Sequence, residues 1–532
     1  MTEDRTDLPE LPRGWAWTTV DQIGQLLRGV TYKKHEASKD GKHGSVPILR
    51  ANNINSELNF DDLVYVPLER VKDEQFVKAG DIVICMSSGS KRLVGKAAQA
   101  KDQFPGGFGA FCGLVRVSDP MDRKYPGFFF QGPTYRKSIS ELSTGVNINN
   151  LRRDHIESMP VPVAPLLEQQ RIVAKIEELF SQLDAGVEAL ENAKAQLQRY
   201  RQAVLKAAME GELTKEWREA HKGELEPASV LLQRILDERR TKWEAQQLEK
   251  MRAKGKVPKS DKLKGKYREP AAPDTSGLPD LPGGWAWATL EQIARDRLIG
   301  VVRSLKQQNK EGRGAAYIKM NNVTMTGYVT LDNLVFVKVS DDELRHYGVR
   351  KGDVLFNTRN SLELVGKTGL VRHDAKDTVY NNNLMRIRTA SGVSSGFLVC
   401  QMCSNTFRGR MEKAKRATTN VAALYAKDVL PLPVAVPPML EQIAIVDEAE
   451  RRLSLIDDLA SIANESLRRA ERLRQSILKR AFEGRLVPQD PTDEPASLLL
   501  ERIKAEKAKR ETEKRTRKKR PRKDTPEQLE LI

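Results

Sequence analysis

Apolar residues recur along one stretch of the chain in a helical rhythm, and that stretch occurs twice. From Leu167 the positions Ile172, Ile176, Leu179, Leu183, Leu190, Ala193, Leu197, Tyr200 and Val204 fall on alternating three- and four-residue steps, with Gly186 off type. Such a repeat of about 3.5 residues predicts one long helix whose seam faces another helix. The frame begins Leu167-Glu168-Gln169 and closes in Gln202-Ala203-Val204-Leu205-Lys206 and Met209-Glu210-Gly211-Glu212-Leu213. It returns without a gap as Leu440-Glu441-Gln442, then Gln475-Ser476-Ile477-Leu478-Lys479, then Phe482-Glu483-Gly484-Arg485-Leu486. This is a duplicated element. In the second copy Ile445, Ala449, Ile456, Leu459, Ala463, Ala470, Leu473 and Ile477 keep the register; Arg452 and Ser466 interrupt it, and Leu453 and Leu467 sit one place over. Pro165 and Pro437-Pro438 suit helix starts, and Gly211 and Gly484 suit helix ends. At ~1.5 Å per residue, about 40 residues make a rod on the order of 60 Å long.

Upstream of each rod the pattern changes to short apolar runs broken by Gly, Asn and Asp, so strands and turns dominate, with some helix. These regions are also paired. Leu11-Pro12-Arg13-Gly14-Trp15-Ala16-Trp17 answers Leu281-Pro282-Gly283-Gly284-Trp285-Ala286-Trp287. Further landmarks match: Asn52-Asn53 with Asn321-Asn322, Gly80-Asp81 with Gly352-Asp353, Gly95-Lys96 with Gly366-Lys367, and Pro160-Val161-Pro162-Val163 with Pro431-Leu432-Pro433-Val434. The reading is two α/β modules on a shared framework. Shared landmarks form core and turns, divergent loops carry what differs, and Trp15, Trp17, Trp285 and Trp287 are core anchors.

After each rod Glu226-Pro227-Ala228-Ser229 matches Glu494-Pro495-Ala496-Ser497, and both lead into charge-dense stretches. The first, from Arg239 to Arg268, reads as a lysine-rich linker before Pro270. The second, from Lys504 to Lys523, reads either as a solvated disordered tail or as an arm that binds phosphates without sequence preference. The layout is therefore a first module at 1–160, a first rod at 161–214, a basic helical spacer and linker at 215–280, a second module at 281–432, a second rod at 433–487 and a basic tail at 488–532.

The formal net charge of +17 over 532 residues points towards nucleic acid or another acidic partner. The N-terminal residues Met1-Thr2-Glu3-Asp4-Arg5 have no apolar signal-like region, and no uninterrupted apolar run is long enough to span a bilayer, so a cytoplasmic location is expected. Four cysteines are too few for a disulfide scaffold. Cys400-Gln401-Met402-Cys403 lacks a matching second pair, which leaves two half-buried thiols and no metal site. No catalytic constellation survives inspection. Val365-Gly366-Lys367-Thr368 resembles the end of a phosphate-binding loop, yet the first glycine is replaced by Ser361, and the sister copy reads Gly95-Lys96-Ala97. His35 and His43 sit in a charged loop without zinc-ligand spacing.

The Gly-Trp-Ala-Trp signatures, the Pro-rich hinges, the Leu-Glu-Gln helix starts and the Gln-x-x-Leu-Lys and Glu-Gly-x-Leu endings occur together, in order and twice. In this the chain resembles the specificity subunits of type I restriction–modification systems, over about residues 8–490. The resemblance implies a mixed α/β (α+β) fold of two tandem target-recognition domains on two long antiparallel coiled-coil helices, with a pseudo-twofold internal repeat. Each domain would read one half of an asymmetric bipartite site in double-stranded DNA, and the helices would set the spacer. It implies no catalysis by this chain and no directly bound cofactor. Two modification subunits would methylate adenine N6 with S-adenosylmethionine, and two restriction subunits would use ATP and Mg2+ to translocate and cut. The alternatives are a coiled-coil DNA-binding scaffold without sequence preference, and a fused nuclease or methyltransferase.

Base readout needs side chains with paired donors and acceptors. The candidates in the first module are Arg50, Ser87, Ser88, Ser90, Lys91, Arg92, Asn147 and Asn149; in the second they are Lys319, Asn357, Thr358, Arg359, Asn360, Asn381, Asn382, Thr419 and Asn420. Because Asn52-Asn53 and Asn321-Asn322 recur in both modules, they read as a shared turn. The unshared clusters Ser87 to Arg92 and Asn357 to Asn360 carry more weight.

Overall fold

The computed structural model describes residues 8–90, 93–143, 150–255, 266–417 and 421–519. The chain divides into two compact units, Met1–Leu190 with Asn464–Ile532, and Glu191–Ala463. Each unit therefore holds one module, part of each long helix, and the element that follows one of them.

In the first unit, Ala16–Thr19 pairs antiparallel with Pro160–Val163, so the tryptophan signature and the proline hinge form one short ribbon. A ribbon that is all edge accepts prolines, whose missing N–H breaks no ladder. The main sheet has the order Gly24–Arg28, Cys112–Val117, Ile82–Cys85, Ala97–Gln99. A smaller sheet sets Val64–Pro67 antiparallel and Gly107–Phe108 parallel to Ser45–Leu49. One core combines Trp15, Ile82, Ile84 and Val115 with Tyr125, Phe129, Ile172, Ile176 and Phe482.

The second unit repeats this plan. Ala286–Thr289 pairs with Pro433–Val436. The main sheet runs Ala294–Ile299, Leu384–Thr389, Val354–Asn357, Thr368–Leu370. The smaller sheet runs Gln308–Asn309, Val335–Val337, Ala315–Ile318, Thr378–Tyr380. The shared Gly-Asp landmark has a structural reason. Asp81 and Asp353, both buried, each accept a turn N–H three residues back, from Lys78 at 2.8 Å and Arg350 at 2.9 Å. Each also pairs with an arginine on the adjacent central strand, Arg116 and Arg388, at 2.6 Å. A buried carboxylate needs such a partner.

The long helices span Leu166–Met209 and Met439–Phe482. Gly211 (φ 72°) and Gly484 (φ 66°) stop them in the left-handed conformation. In the second unit Arg201 pairs with Asp457 while Arg218, beyond the first helix, meets Glu441 at the start of the second. In the first unit Asp184 pairs with Arg474, and Arg171 with Asp493. Inside each unit one residue number rises as the other falls, so the helix segments run antiparallel.

The seam departs from the expectation at particular positions. Ile172, Ile176, Val204, Ile445, Ala449, Ile456, Ala463 and Ile477 are buried as expected. Ala193 is exposed, as are Tyr200, Leu459 and Leu473, which retain 49%, 44% and 50% of their surface. Arg201 and Leu453, each one place over, are buried. A straight helix of about 3.6 residues per turn drifts away from a strict 3.5 repeat, so the contact line shifts by one residue.

The basic segment after the first rod, expected as a helical spacer and linker, is helical further than expected, through the part from Arg239 that reads as linker. Ala228–Ala253 is a continuous helix whose Ala228 N–H donates to Gly284 O at 2.8 Å and whose Arg239 donates to Glu291 O at 2.6 Å and Ala294 O at 3.1 Å. The tail is likewise helical at Ala496–Lys519, not disordered there. Ala496 N–H donates to Gly14 O at 2.8 Å, Leu499 and Ile503 are buried, and the Lys507 ammonium reaches Asp21 O. Its basic end, Arg520 to Lys523, lies outside the described residues. The cysteines also differ from expectation: Cys400 and Cys403 are fully within the core, and burial pushes the Cys400 thiol up to about 12. Among the described residues no helix is long and apolar enough to cross a membrane, and no group of side chains could hold a metal.

Candidate nucleic-acid interface

The two sequence landmarks that frame each module meet in space. Trp15 Nε1 donates to Glu168 Oε2 at 3.0 Å, and Trp285 Nε1 donates to Glu441 Oε2 at 2.9 Å. The tryptophan signature and the Leu-Glu-Gln helix start are therefore two halves of one joint that holds module to rod. The neighbouring glutamines complete it. Gln169 donates to Ala164 O at 2.8 Å, and Gln442 donates to Pro437 O at 2.9 Å. Trp15 and Trp285 are core anchors as expected, while the half-buried Trp17 and Trp287 donate to the Pro9 and Pro279 carbonyls.

On each module, loops from distant parts of the chain come together. Ser87 bridges to Asn150, their side chains also hydrogen-bond, and Leu151 N–H donates to Met86 O at 2.7 Å. In the second module Arg359–Asn360 pairs with Ala422–Ala423, which also pairs with Arg416–Ala417, and Leu424 N–H donates to Thr358 O at 2.9 Å. In each module the segment that carries Ser87 or Arg359 thus meets a second segment distant in the chain. Lys91, Arg92, Asn147, Asn149, Thr419 and Asn420 lie outside the described residues.

The described candidates divide by where their polar atoms go. Ser90 and Arg359 are exposed, and Ser87, Ser88, Asn360 and Asn382 are half-buried. Asn357 is fully buried, with its amide donating to Arg359 O and Asn383 O and its carbonyl oxygen accepting from Asn360. Thr358 is buried and donates to Asn383 O at 3.0 Å; Asn381 is buried and accepts from Asn383 N–H at 3.0 Å. These three shape the loops from inside. Arg50 and Lys319 begin matching tight turns, where their backbone N–H groups donate to Asn53 and Asn322. The Arg50 guanidinium pairs with Asp62 at 3.0 Å, and the Lys319 ammonium donates to Gln308 at 3.2 Å. Asn53 and Asn322 are buried and close those turns onto Asp61 O and Asp332 O, as a shared turn requires.

The phosphate-loop look-alike is also structural. Lys367 is buried, which lowers its pKa, and its ammonium donates to Met320 O at 2.7 Å across the module. Two features escaped the sequence reading. Phe111 exposes 69% of its surface beside Ser87. The pairs Asp184–Arg474 and Arg201–Asp457 occupy the same aligned places in the two rods. That recurrence of an arginine and an aspartate in both copies was available as a signal.

Two framework-sharing modules, each carrying its own loop face and each bolted to paired long helices, define a two-module recognition protein. A family model described as the type I restriction modification DNA specificity domain matches residues 12–198. The chain is 31% identical over 509 residues to the type I restriction enzyme EcoKI specificity subunit of Escherichia coli K12, covering 94% of this chain and 96% of that one. It is 30% identical over 511 residues to the StySPI specificity subunit of Salmonella potsdam, with the same coverage. A solved structure from a study of the assembly and conformational transition of a type I R-M system shares the fold, with a TM-score of 0.57 at 16% identity, over 90% of this chain and 100% of that one. The chain belongs to the specificity subunits of type I restriction enzymes. Its work is recognition of DNA sequence, it is not itself an enzyme, and its partners are DNA and the methyltransferase and restriction subunits of such a system.

Proposed function

We propose that the two modules read different halves of one asymmetric, bipartite site in duplex DNA, and that the antiparallel helices set the spacer between the halves. One observation carries this reading. The same frame presents its loop face twice, with Ser87 and Ser88 on one copy where the other has Arg359 and Asn360. Equal frames with unequal loops suit two unrelated half-sites rather than a palindrome. Base edges are read by such loops, while lysines and arginines on phosphates orient each module without specifying sequence.

In this reading two modification subunits dock on the helices and methylate adenine N6. S-adenosylmethionine is bound there and not by this chain. Two restriction subunits use ATP and Mg2+, and the complex works in the cytoplasm on cellular and invading DNA. Exposed apolar residues on the second helix, Leu455, Leu459 and Ile462 among them, suit packing against a partner's helices.

The test is single-molecule sequencing of adenine methylation in the host genome with and without the gene. A two-part asymmetric motif that vanishes on deletion is expected; methylation that does not change in an expressing strain would refute the reading. Removing whole turns from both long helices should shorten the spacer and leave the half-site bases unchanged.

A further inference from the structure

The turn that joins the small sheet to the main sheet has the same backbone in both modules. Val30 bridges in parallel to Gly109, and Val301 to Asn381. Cys112 N–H then donates to Gly109 O at 2.8 Å, and Leu384 N–H donates to Asn381 O at 3.0 Å. Phe111 therefore stands where the second module has Asn383.

Among the described residues, the hydrogen bonds that tie this position into the frame use only its main chain. Phe111 O accepts from Met86 N–H at 2.9 Å and from Ser87 N–H at 3.0 Å, and Asn383 O accepts from Thr358 N–H at 2.8 Å. The carbonyl ties the turn to the loop that carries the candidate readers, so the side chain can vary without disturbing the fold. In the first module that side chain is an aromatic ring with 69% of the residue's surface exposed. A large apolar group held on this hydrogen-bonded turn, beside a polar loop bridged to Asn150, is available for an apolar contact. In a DNA groove the apolar feature that distinguishes one base is the thymine C5 methyl, whereas an asparagine at the matching place suits the hydrogen-bonding edge of adenine.

We propose that the Phe111 ring contacts the C5 methyl of a thymine in the half-site read by the first module, which makes Phe111 a specificity-determining residue. This rests on the bipartite reading above. The test uses the complex assembled with its modification subunits and a duplex carrying the mapped target, with each thymine replaced singly by deoxyuridine. At one position in one half-site, loss of the methyl should weaken binding by the native complex roughly fourfold, the worth of one buried methyl-sized group. Phe111→Ala should bind the thymine and uracil duplexes equally, with an unchanged melting temperature. Phe111→Asn should change the methylated motif at that position and leave the other half-site intact. A native complex indifferent to every uracil, or a Phe111→Ala complex that keeps the same penalty, would overturn this inference while the bipartite motif stands. Absence of any bipartite motif in the native strain would overturn both.

Discussion

Glu168 and Glu441 hold the same place in the two units and accept a hydrogen bond from the same tryptophan, yet their second oxygens meet different surroundings. Glu441 Oε1 accepts from Thr214 Oγ1 at 2.9 Å and from Arg218 Nη1 at 2.5 Å. Among the described residues, the buried Glu168 Oε1 has no hydrogen-bond partner. The position aligned with Thr214 is Val487, which has no hydroxyl to offer. Arg171, the nearby cation, pairs with Asp493 instead, at 2.5 Å. Burial therefore raises the Glu168 pKa, a shift only partly opposed by the Trp15 hydrogen bond and by Arg171, and Asp493 adds to it. A repeated motif fixes which contact is made. What completes its charge balance comes from residues beyond the far end of a helix, and there the two copies have diverged.

The largest expected contrast comes from removing each carboxylate. Glu441→Ala strands a largely buried Arg218 together with Trp285 and Thr214, and should cost the second unit about 3–5 kcal/mol. Glu168→Ala removes one tryptophan bond and a second oxygen that has no hydrogen-bond partner among the described residues, and should cost about 1–2 kcal/mol. Hydrogen exchange at the two ribbon-and-helix joints would measure both, and equal loss of protection would break the comparison.

The rod ion pairs should differ in the same direction. Arg201 is 5% exposed, and its partner Asp457 also accepts from Tyr328 at 3.1 Å, so Arg201→Ala leaves a carboxylate in a half-buried cluster. A loss of about 2 kcal/mol is expected there. Arg474, paired with a 59% exposed Asp184, is worth under about 1 kcal/mol. Denaturant midpoints of the two variants would rank them.

The smallest effect is a pH slope. The folded pKa of Glu168 lies above its unfolded value, so the folded state binds its proton more readily. The stabilisation is complete below the unfolded pKa and is lost as pH rises through the folded pKa. Thermal melts across the carboxylate titration range should show the first unit losing stability as pH rises, and Glu168→Gln should flatten that component. Val487→Thr, by supplying the hydroxyl that its counterpart has, should add about 1 kcal/mol near neutral pH. A pH slope unaltered by Glu168→Gln would show that the joint's second oxygen does not matter.

Much of this protein was legible in the sequence because its information is periodic or duplicated. The rods showed in their three- and four-residue steps, their ends in Gly211 and Gly484, and the shared turns in Asn53 and Asn322. The loop faces were half legible. Polar clusters marked the loop regions, but composition could not separate Arg359, which is exposed, from Asn357, two residues away and fully buried. Phe111 was invisible because an apolar residue between short strands reads as core. The basic stretch from Arg239 read as a linker because its dense charge masks any apolar period, although it continues the helix that begins at Ala228.

By itself the sequence determined two α/β modules, two long helices and the family to which they belong, since local periodicity and internal repetition are written residue by residue. Tertiary structure alone decided that Trp15 closes on Glu168, that Ser87 meets Asn150, that the last described helix returns to Gly14, and that Glu441 finds Thr214 and Arg218 while Glu168 finds no counterpart to them among the described residues. These contacts join residues far apart in the chain. Their formation depends on which surfaces packing brings together, and a local pattern of apolar and polar positions does not encode that choice.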